Sequence, residues 1–483
     1  MLRVVAALAL AAKVVYGSEE SEPSANWREH IKNVVVLVQE NRSFDSFFGD
    51  LSYRRDINNI RHLRDKYCNP ANLTSTGEST WICAEPTGSN VSPDDPNHSL
   101  TGVNYQLFST YHPNESGPPE IVEEKERMLG FVIEHEVTHR TYNLTRAADV
   151  MQYLPEEMMP VYRTMAENYV LFDNWFCDVP GPTNPNRAYM TSGTSHGHGR
   201  NNLTFHIFGL PQRSIFQQLD EANITWTNYY NSSFNPDADF YAWTQTSGRS
   251  KTHVQPIARF FADAKAGTLP QFTWINPECC IYDSMHPPSP VNMGEAWTKR
   301  VYEALRNSPQ WDSMLFLITF DEHGGYADHV SPPVGVPPGD NLTYTEVAQD
   351  GKEYTFSFDR LGVRVPALVI SPWVQKGALE RLGPNDAIYS HSSLPAFISK
   401  LWNLDDGVPL TPRVASAASF EHLITDDFRA DTPAVLPDPW GYMREDSEPE
   451  KERYRPVSEL ATSRLVDNID YLGGMPDWAE EYK

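Results

Sequence analysis

Positive charge is what this sequence has least of. It carries 39 Lys and Arg against 64 Asp and Glu, a formal net charge of −25 over 483 residues. That balance excludes the clustered Lys and Arg that nucleic acids and anionic bilayers require. Cysteine is also sparse, at five, which suits one or two disulfides better than a thiolate metal cluster. Beyond the N-terminus no segment stays apolar for the ~20 residues of a membrane span. The tail 473–483 is charged, so it does not read as the hydrophobic signal of a lipid anchor. No internal repeat stands out. What is present is a normal apolar fraction, 40%, with 21% charged residues, enough for a large core and unlike a disordered chain.

Residues 1–17 read as a signal peptide. Arg3 precedes the apolar run 4–12, Lys13 interrupts it, and a small-residue exit follows, with cleavage expected near Gly17 and Ser18. Removing Arg3 and Lys13 takes the charge to 37 − 64 = −27. Asn-x-Ser/Thr acceptors begin at Asn72, Asn90, Asn97, Asn114, Asn143, Asn202, Asn223, Asn231 and Asn341, consistent with a glycosylated exterior. A secreted, extracellular protein is expected. Cys68 and Cys83 share one polar stretch and are spaced to close a small loop. Cys177 has Cys279 or Cys280 as a partner, and the spacing does not decide between them.

Short apolar, β-branched runs at 34–38, 169–172, 271–275, 314–320 and 366–370 read as buried strands of a parallel sheet. Helical patterns at 155–167, 214–222, 254–264, 294–307 and 392–404 alternate with them. The expected fold is α/β: a three-layer sandwich with a mostly parallel central sheet, in one catalytic domain over 27–424. The polar, Cys-bearing stretch 51–128 reads as a surface insertion. Asp350-Gly351 marks a hairpin within 334–362, and the acidic extension 425–483 is expected to pack on the surface.

Polar clusters follow directly after the apolar runs. The first run leads into Glu40 and Asn41, the 314–320 run into Asp321 and Glu322, and the 271–275 run toward His286. Ligand sites in open α/β sheets lie outside the carboxyl ends of strands, so these clusters should share one site. Carboxylates and an amide oxygen are hard ligands, which makes Glu40, Asn41, Asp321 and Glu322 candidates for holding a divalent metal cation. Taken singly, each carboxylate reads equally as a cap or a surface charge. The loop Pro180-Gly181-Pro182-Thr183 opens a probable helix, where backbone N–H groups favour an anion. Arg187, four residues on, is spaced to grip the same anion. A hydroxyl nucleophile needs activation, which a metal ion supplies. His135-Glu136-Val137-Thr138-His139 matches the zinc-protease spacing H-E-x-x-H. Its flanks are poor in helix formers, and it leaves the carboxylate and Thr183 clusters unexplained.

Five blocks resemble a known family. The run Asn33-Val34-Val35-Val36-Leu37-Val38-Gln39-Glu40-Asn41-Arg42-Ser43-Phe44-Asp45 is similar to the opening signature of a phosphoesterase family. That family includes bacterial phosphatidylcholine-hydrolysing phospholipases C and a group of acid phosphatases. Gly181-Pro182-Thr183-Asn184-Pro185-Asn186-Arg187 resembles its second block, and Asp321-Glu322-His323-Gly324-Gly325-Tyr326-Ala327-Asp328-His329-Val330 its third. Val363 to Trp373 and Tyr389-Ser390-His391-Ser392-Ser393 resemble its last blocks. The third block departs from the family's usual Asp-Glu-Asn-Asp-Gly.

The resemblance implies an alkaline phosphatase-like fold and a metal-centred phosphoryl site. It implies Thr183 as nucleophile, Glu40, Asn41, Asp321 and Glu322 as metal ligands, and Arg187, His286 and His329 near the phosphate and leaving group. The implied activity is that of a secreted phospholipase C acting on a phospholipid or other phosphoester. Acid phosphatase activity and a non-catalytic binding protein are the rival readings. No nucleic-acid partner is expected, and any membrane contact should be transient and apolar.

Overall fold

The computed structural model describes residues 24 and 26–441, apart from 65, 72–79, 93, 114–127, 142, 232–235 and 278–282. The signal-peptide reading over 1–17, Cys279 and Cys280, and most of the C-terminal extension lie outside the described residues.

The central sheet contains β1 (Asn33–Gln39), β2 (Val170–Phe172), β3 (Trp226–Tyr230), β4 (Val254–Pro256), β5 (Phe272–Asn276), β6 (Met314–Phe320), β7 (Ala367–Ile370) and β8 (Ala378–Glu380). Their spatial order is β8-β2-β7-β6-β1-β5-β3-β4. β1 lies at the centre and every residue in it is buried. Its β-branched run suits a strand covered on both faces. Val36 pairs with Leu317 of β6 on one side and Trp274 of β5 on the other, both parallel.

The α-helices of seven or more residues among the described residues are, in chain order, α1 (Leu100–Phe108), α2 (Phe131–His139), α3 (Pro160–Asn168), α4 (Thr183–Ser192), α5 (Ile215–Glu221), α6 (Ile257–Ala266), α7 (Val291–Arg306) and α8 (Ser393–Trp402). Strand alternation sorts them into two layers. Gln39 points to one face, where its Nε2 donates to Thr298 of α7 at 3.0 Å, and Thr298 in turn meets Tyr162 of α3. Trp274, level with Val36, points to the other face and meets Phe216 of α5 edge-on, ring centroids 6.0 Å apart. The α/β sandwich expected from the sequence is therefore present.

Two local expectations change. The run at 366–370 was read as parallel, yet β7 is antiparallel to both neighbours, with Leu368 opposite Ile318 and Leu171. A parallel return needs a crossover, usually helical. The link from β6 to β7 carries the hairpin Tyr344–Val347/Glu353–Phe356 instead of a helix, so the chain re-enters from the end at which it left. The helix read at 254–264 begins later, because Val254–Pro256 is the edge strand β4, paired with β3. Pro256 disfavours helical backbone at Gln255 and caps α6.

Cys68 and Cys83 form a disulfide between two short strands. Cys177 is buried and unbridged. Residues 425–441 run along α7, with Tyr302 donating to Pro433 O at 2.6 Å. The stretch read as a surface insertion is partly interior. Val103 and Leu107 are buried with Phe131 and Val132 of α2 in a second core, and Leu100 is buried in a third with Val179 and Phe356. No helix among the described residues is long and apolar enough to cross a membrane.

Loops at the carboxyl end of the sheet are tied by Arg364, which is fully buried. Its Nε donates to Asp328 at 3.0 Å, Nη2 to Asp45 at 3.2 Å, and Nη1 to the carbonyls of Asn58 and Asp173. Arg364→Met would strand two buried carboxylates. It is expected to lower unfolding free energy by about 3–5 kcal/mol, read as a fall in the urea midpoint. A loss under about 1 kcal/mol would contradict the assignment of Arg364 as the loop tie.

Candidate active site

Three strand ends converge on one guanidinium. Arg187, on the second turn of α4, is 3% exposed. Its Nη2 donates to Glu40 Oε1 at 3.0 Å, Nη1 to Asp237 Oδ2 at 3.1 Å, and Nε to Asp321 Oδ2 at 3.4 Å. Glu40 follows β1, Asp237 follows β3 and Asp321 follows β6. Burial pulls the Arg187 pKa down, but Asp237, Asp321 and Glu40 outweigh it and hold the side chain firmly cationic. The carboxylates remain under-compensated. Burial raises Glu40 and Asp237 although Arg187 opposes the shift. Burial, reinforced by Asp321, raises Glu322 well above the ordinary carboxylate range.

A second group stands beside the first. Asn41, at a left-handed φ of 58°, receives Asp321 Oδ1 on its backbone N–H and gives its Nδ2 to Asp95 Oδ1 at 3.1 Å. Asp95, His98 and His286 offer ligand atoms that all lie within 4.8 Å of one another. His98 Nε2 is 4.0 Å from Glu322 Oε1, and His286 Nε2 is 3.8 Å from Asp95 Oδ2. In both rings Nδ1 meets a carbonyl, that of Pro96 at 2.8 Å and that of Pro287 at 2.9 Å. A carbonyl only accepts, so Nδ1 carries a proton in each ring and Nε2 is the nitrogen left to face the acidic cluster.

Thr183 begins α4 and is half-buried. The Asn186 side chain staples its loop, donating to the carbonyls of Val179, Gly181 and Pro182 at 3.0–3.1 Å and accepting from Val179 N at 2.8 Å. Residues four apart on a helix share a face, about 6 Å apart along the axis. Thr183 therefore sits one turn above a residue bonded to both Glu40 and Asp321, at the helix end that favours anions.

The blocks that bring these residues together match the model of the phosphoesterase family over residues 31–405. The chain belongs to the phosphoesterase family. Among relatives, non-specific phospholipase C6 of Arabidopsis thaliana is 38% identical, over 86% of this chain and 77% of its own. Non-specific phospholipase C1 of the same plant is 35% identical, over 98% and 88%. A solved structure in the alkaline phosphatase superfamily from Vibrio parahaemolyticus overlaps 54% of this chain and 63% of its own, at 12% identity and a TM-score of 0.33.

The residues fit a metal ion, as the family implies. Glu40 Oε2, Asn41 Oδ1, Asp237 Oδ1 and Glu322 Oε1 are buried and have no hydrogen-bond partner among the described residues. Orphaned buried oxygens are costly, and hard oxygens beside imidazole nitrogens suit a divalent cation. Asn41 N donates to Asp321 Oδ1 and Arg187 joins Asp321 to Glu40, while the group whose ligand atoms lie within 4.8 Å of one another is Asp95, His98 and His286, with Glu322 beside His98.

Several sequence-derived roles need correction. All three Arg187 nitrogens are taken by carboxylates, so it organises the anionic cluster; it was read as a grip on the substrate anion. His329 is not with His286. Its Nδ1 meets Asp45 Oδ2 at 2.5 Å and its Nε2 meets Asn58 at 3.1 Å, within the Arg364 network. His391 accepts from the Trp175 indole at 3.2 Å, so its Nε2 must donate to Asp321 O, at 2.6 Å. Burial pushes His323 down to about 3, and it meets Gln106. The H-E-x-x-H segment is helical after all, as α2. His135 and His139 lie toward Asp94, which Arg146 already holds.

The sequence reading missed Asp95, His98 and Asp237. Asp95 and His98 follow no strand, and nothing in the local pattern marks them. Asp237 lies just beyond Trp226–Tyr230, and recognising that strand would have exposed it.

The Asp45–His329 pair makes a pH prediction. Burial favours a lower His329 pKa, but Asp45 outweighs it and raises the ring. Burial favours a higher Asp45 pKa, but His329 and Arg364 outweigh it and lower the carboxyl. The raised His lends stability that is full below its unfolded pKa of about 6.5 and is lost as pH climbs through the folded value. The lowered Asp loses its share only as pH falls below about 3.9. The Tm penalty of His329→Gln should be largest between about pH 4 and 6.5 and should shrink above that range. A penalty flat from pH 5 to 9 would show that the pair does not titrate in this way.

Proposed function

We propose that this phosphoester hydrolase is a phospholipase C that cleaves glycerophospholipids to diacylglycerol and a phosphorylated head group. The observation that carries the mechanism is Thr183 at the N-terminus of α4, one helical turn from a guanidinium bonded to Glu40 and Asp321. The choice of a phospholipid over other phosphoesters rests on the names of the relatives.

The substrate phosphate lies at the N-terminal end of α4, the end of a helix that favours anions. Thr183 Oγ attacks phosphorus in line as its hydroxyl proton passes to solvent water. The bond from phosphorus to the glycerol oxygen breaks, and the leaving alkoxide takes a proton from an imidazolium. His286 is positioned for that role, with His98 beside it; His329 is not. Water then attacks phosphorus, frees the phosphorylated head group and restores the Thr183 hydroxyl. A divalent cation held by Glu40, Asn41, Asp321 and Glu322 supplies charge stabilisation for the hydroxyl oxygen and the phosphoryl group. Arg187 holds Glu40 and Asp321 in place through its Nη2 and Nε. The signal peptide and sequons support secretion of a glycosylated protein. Asn97 is excluded as a sugar acceptor, since it is 7% exposed and its amide donates to Glu134 at 2.7 Å.

Thr183→Ala should fold normally by circular dichroism and lose roughly 10³-fold or more in kcat on a phosphatidylcholine substrate. Near-full activity in that variant would overturn the nucleophile assignment. Wild-type preference for a soluble phosphomonoester over the lipid diester would overturn the phospholipase assignment.

A further inference from the structure

The acid-rich chain contains one long stretch free of Asp and Glu, from Val179 to Leu219. It starts at the Thr183 loop, runs through α4 and ends in α5. Arg187, Arg200 and Arg213 lie within it, and Arg200 is exposed. Carboxylates approach from the hairpin, and both are engaged. Asp340 accepts from the Thr194 hydroxyl, and Glu346 accepts from Thr101 N. The stretch that carries Thr183 thus adds no carboxylate of its own, and Arg200 is its exposed cation.

At the far end of that stretch, Ile207 is 54% exposed and Phe208 is 72% exposed. Phe208 is the most exposed large apolar side chain among the described residues, and its neighbour in sequence shares the exposure. The loop that carries them is fixed at its base. Phe205 is fully buried, its ring centroid 5.2 Å from that of Phe240. His206 Nε2 lies 3.4 Å from Asn184 Nδ2, and Asn201 Oδ1 accepts from Asn184 N at 2.8 Å. Asn184 directly follows Thr183, so whatever takes up Ile207 and Phe208 is brought to the nucleophile.

We propose that Ile207 and Phe208 form an interfacial anchor that inserts into a zwitterionic phospholipid surface and holds Thr183 against the head groups. Two adjacent apolar side chains on a rigid projecting loop match a fluid apolar phase. A net charge of −25 opposes adsorption to an anionic one. The inference rests on the phospholipase C reading.

The test uses the full chain and the variant Ile207→Ser/Phe208→Ser. Partition onto phosphatidylcholine vesicles is measured by co-sedimentation, also in the Thr183→Ala background, where catalysis plays no part. Hydrolysis is compared between vesicles and a short-chain phosphatidylcholine held below its critical micelle concentration. Partition and vesicle kcat/KM should fall about tenfold or more, with the monomeric substrate turned over within about twofold of wild type. Unchanged partition, equal loss on the monomeric substrate, or stronger wild-type partition onto anionic vesicles would each overturn the anchor. If wild type hydrolyses neither substrate, the phospholipase reading falls. Vesicle partition that depends on Ile207 and Phe208 in the Thr183→Ala protein would then still support the anchor.

Discussion

One buried guanidinium sets the arrangement of the site. Arg187 gives a nitrogen to each of three carboxylates, Glu40, Asp237 and Asp321, and those carboxylates belong to loops after three different strands. Removing the cation would leave three buried anions without compensation, a far larger cost than any one pair contributes. Its position also fixes that of Thr183, because one turn of α4 separates them. Thr183, the helix end that favours anions and the buried acidic oxygens are therefore parts of one electrostatic unit. One positive charge among four buried carboxylates, Glu322 included, still leaves a deficit, and the orphaned oxygens point to what fills it.

The histidines divide by what their second nitrogen touches. His391, His323 and His329 are bound at both ends or held neutral by burial, and they act as struts. His98 and His286 each spend Nδ1 on a carbonyl and leave Nε2 facing the acidic cluster. Spacing in the sequence does not reveal this division, because it depends on which acceptor each ring meets in three dimensions.

The strands that carry the chemistry were legible because buried parallel strands leave uninterrupted apolar runs. Glu40, Asn41, Asp321 and Glu322 were legible because they follow those runs directly. β7 was legible as a strand but not in direction, since its polarity depends on the absence of a crossover helix in the preceding link. Asp95 and His98 were hidden in a polar stretch read as exterior. Its apolar residues are few, and its burial comes from packing against α2, which the local pattern does not announce. The role of Arg187 was read backwards for a related reason. Helical spacing from Thr183 predicts a shared face but not that three carboxylates already occupy the guanidinium.

The central claim is that Glu40, Asn41, Asp321 and Glu322 form a cation site completed by the charge deficit around Arg187. Calorimetric titration of chelator-stripped protein with Mn²⁺, Zn²⁺ and Ca²⁺ tests it most directly, comparing wild type with Asn41→Ala/Glu322→Gln. The account predicts saturable binding of at least one of these ions by wild type, weakened about tenfold or more in the variant. No binding by wild type, or equal binding by both proteins, would contradict it.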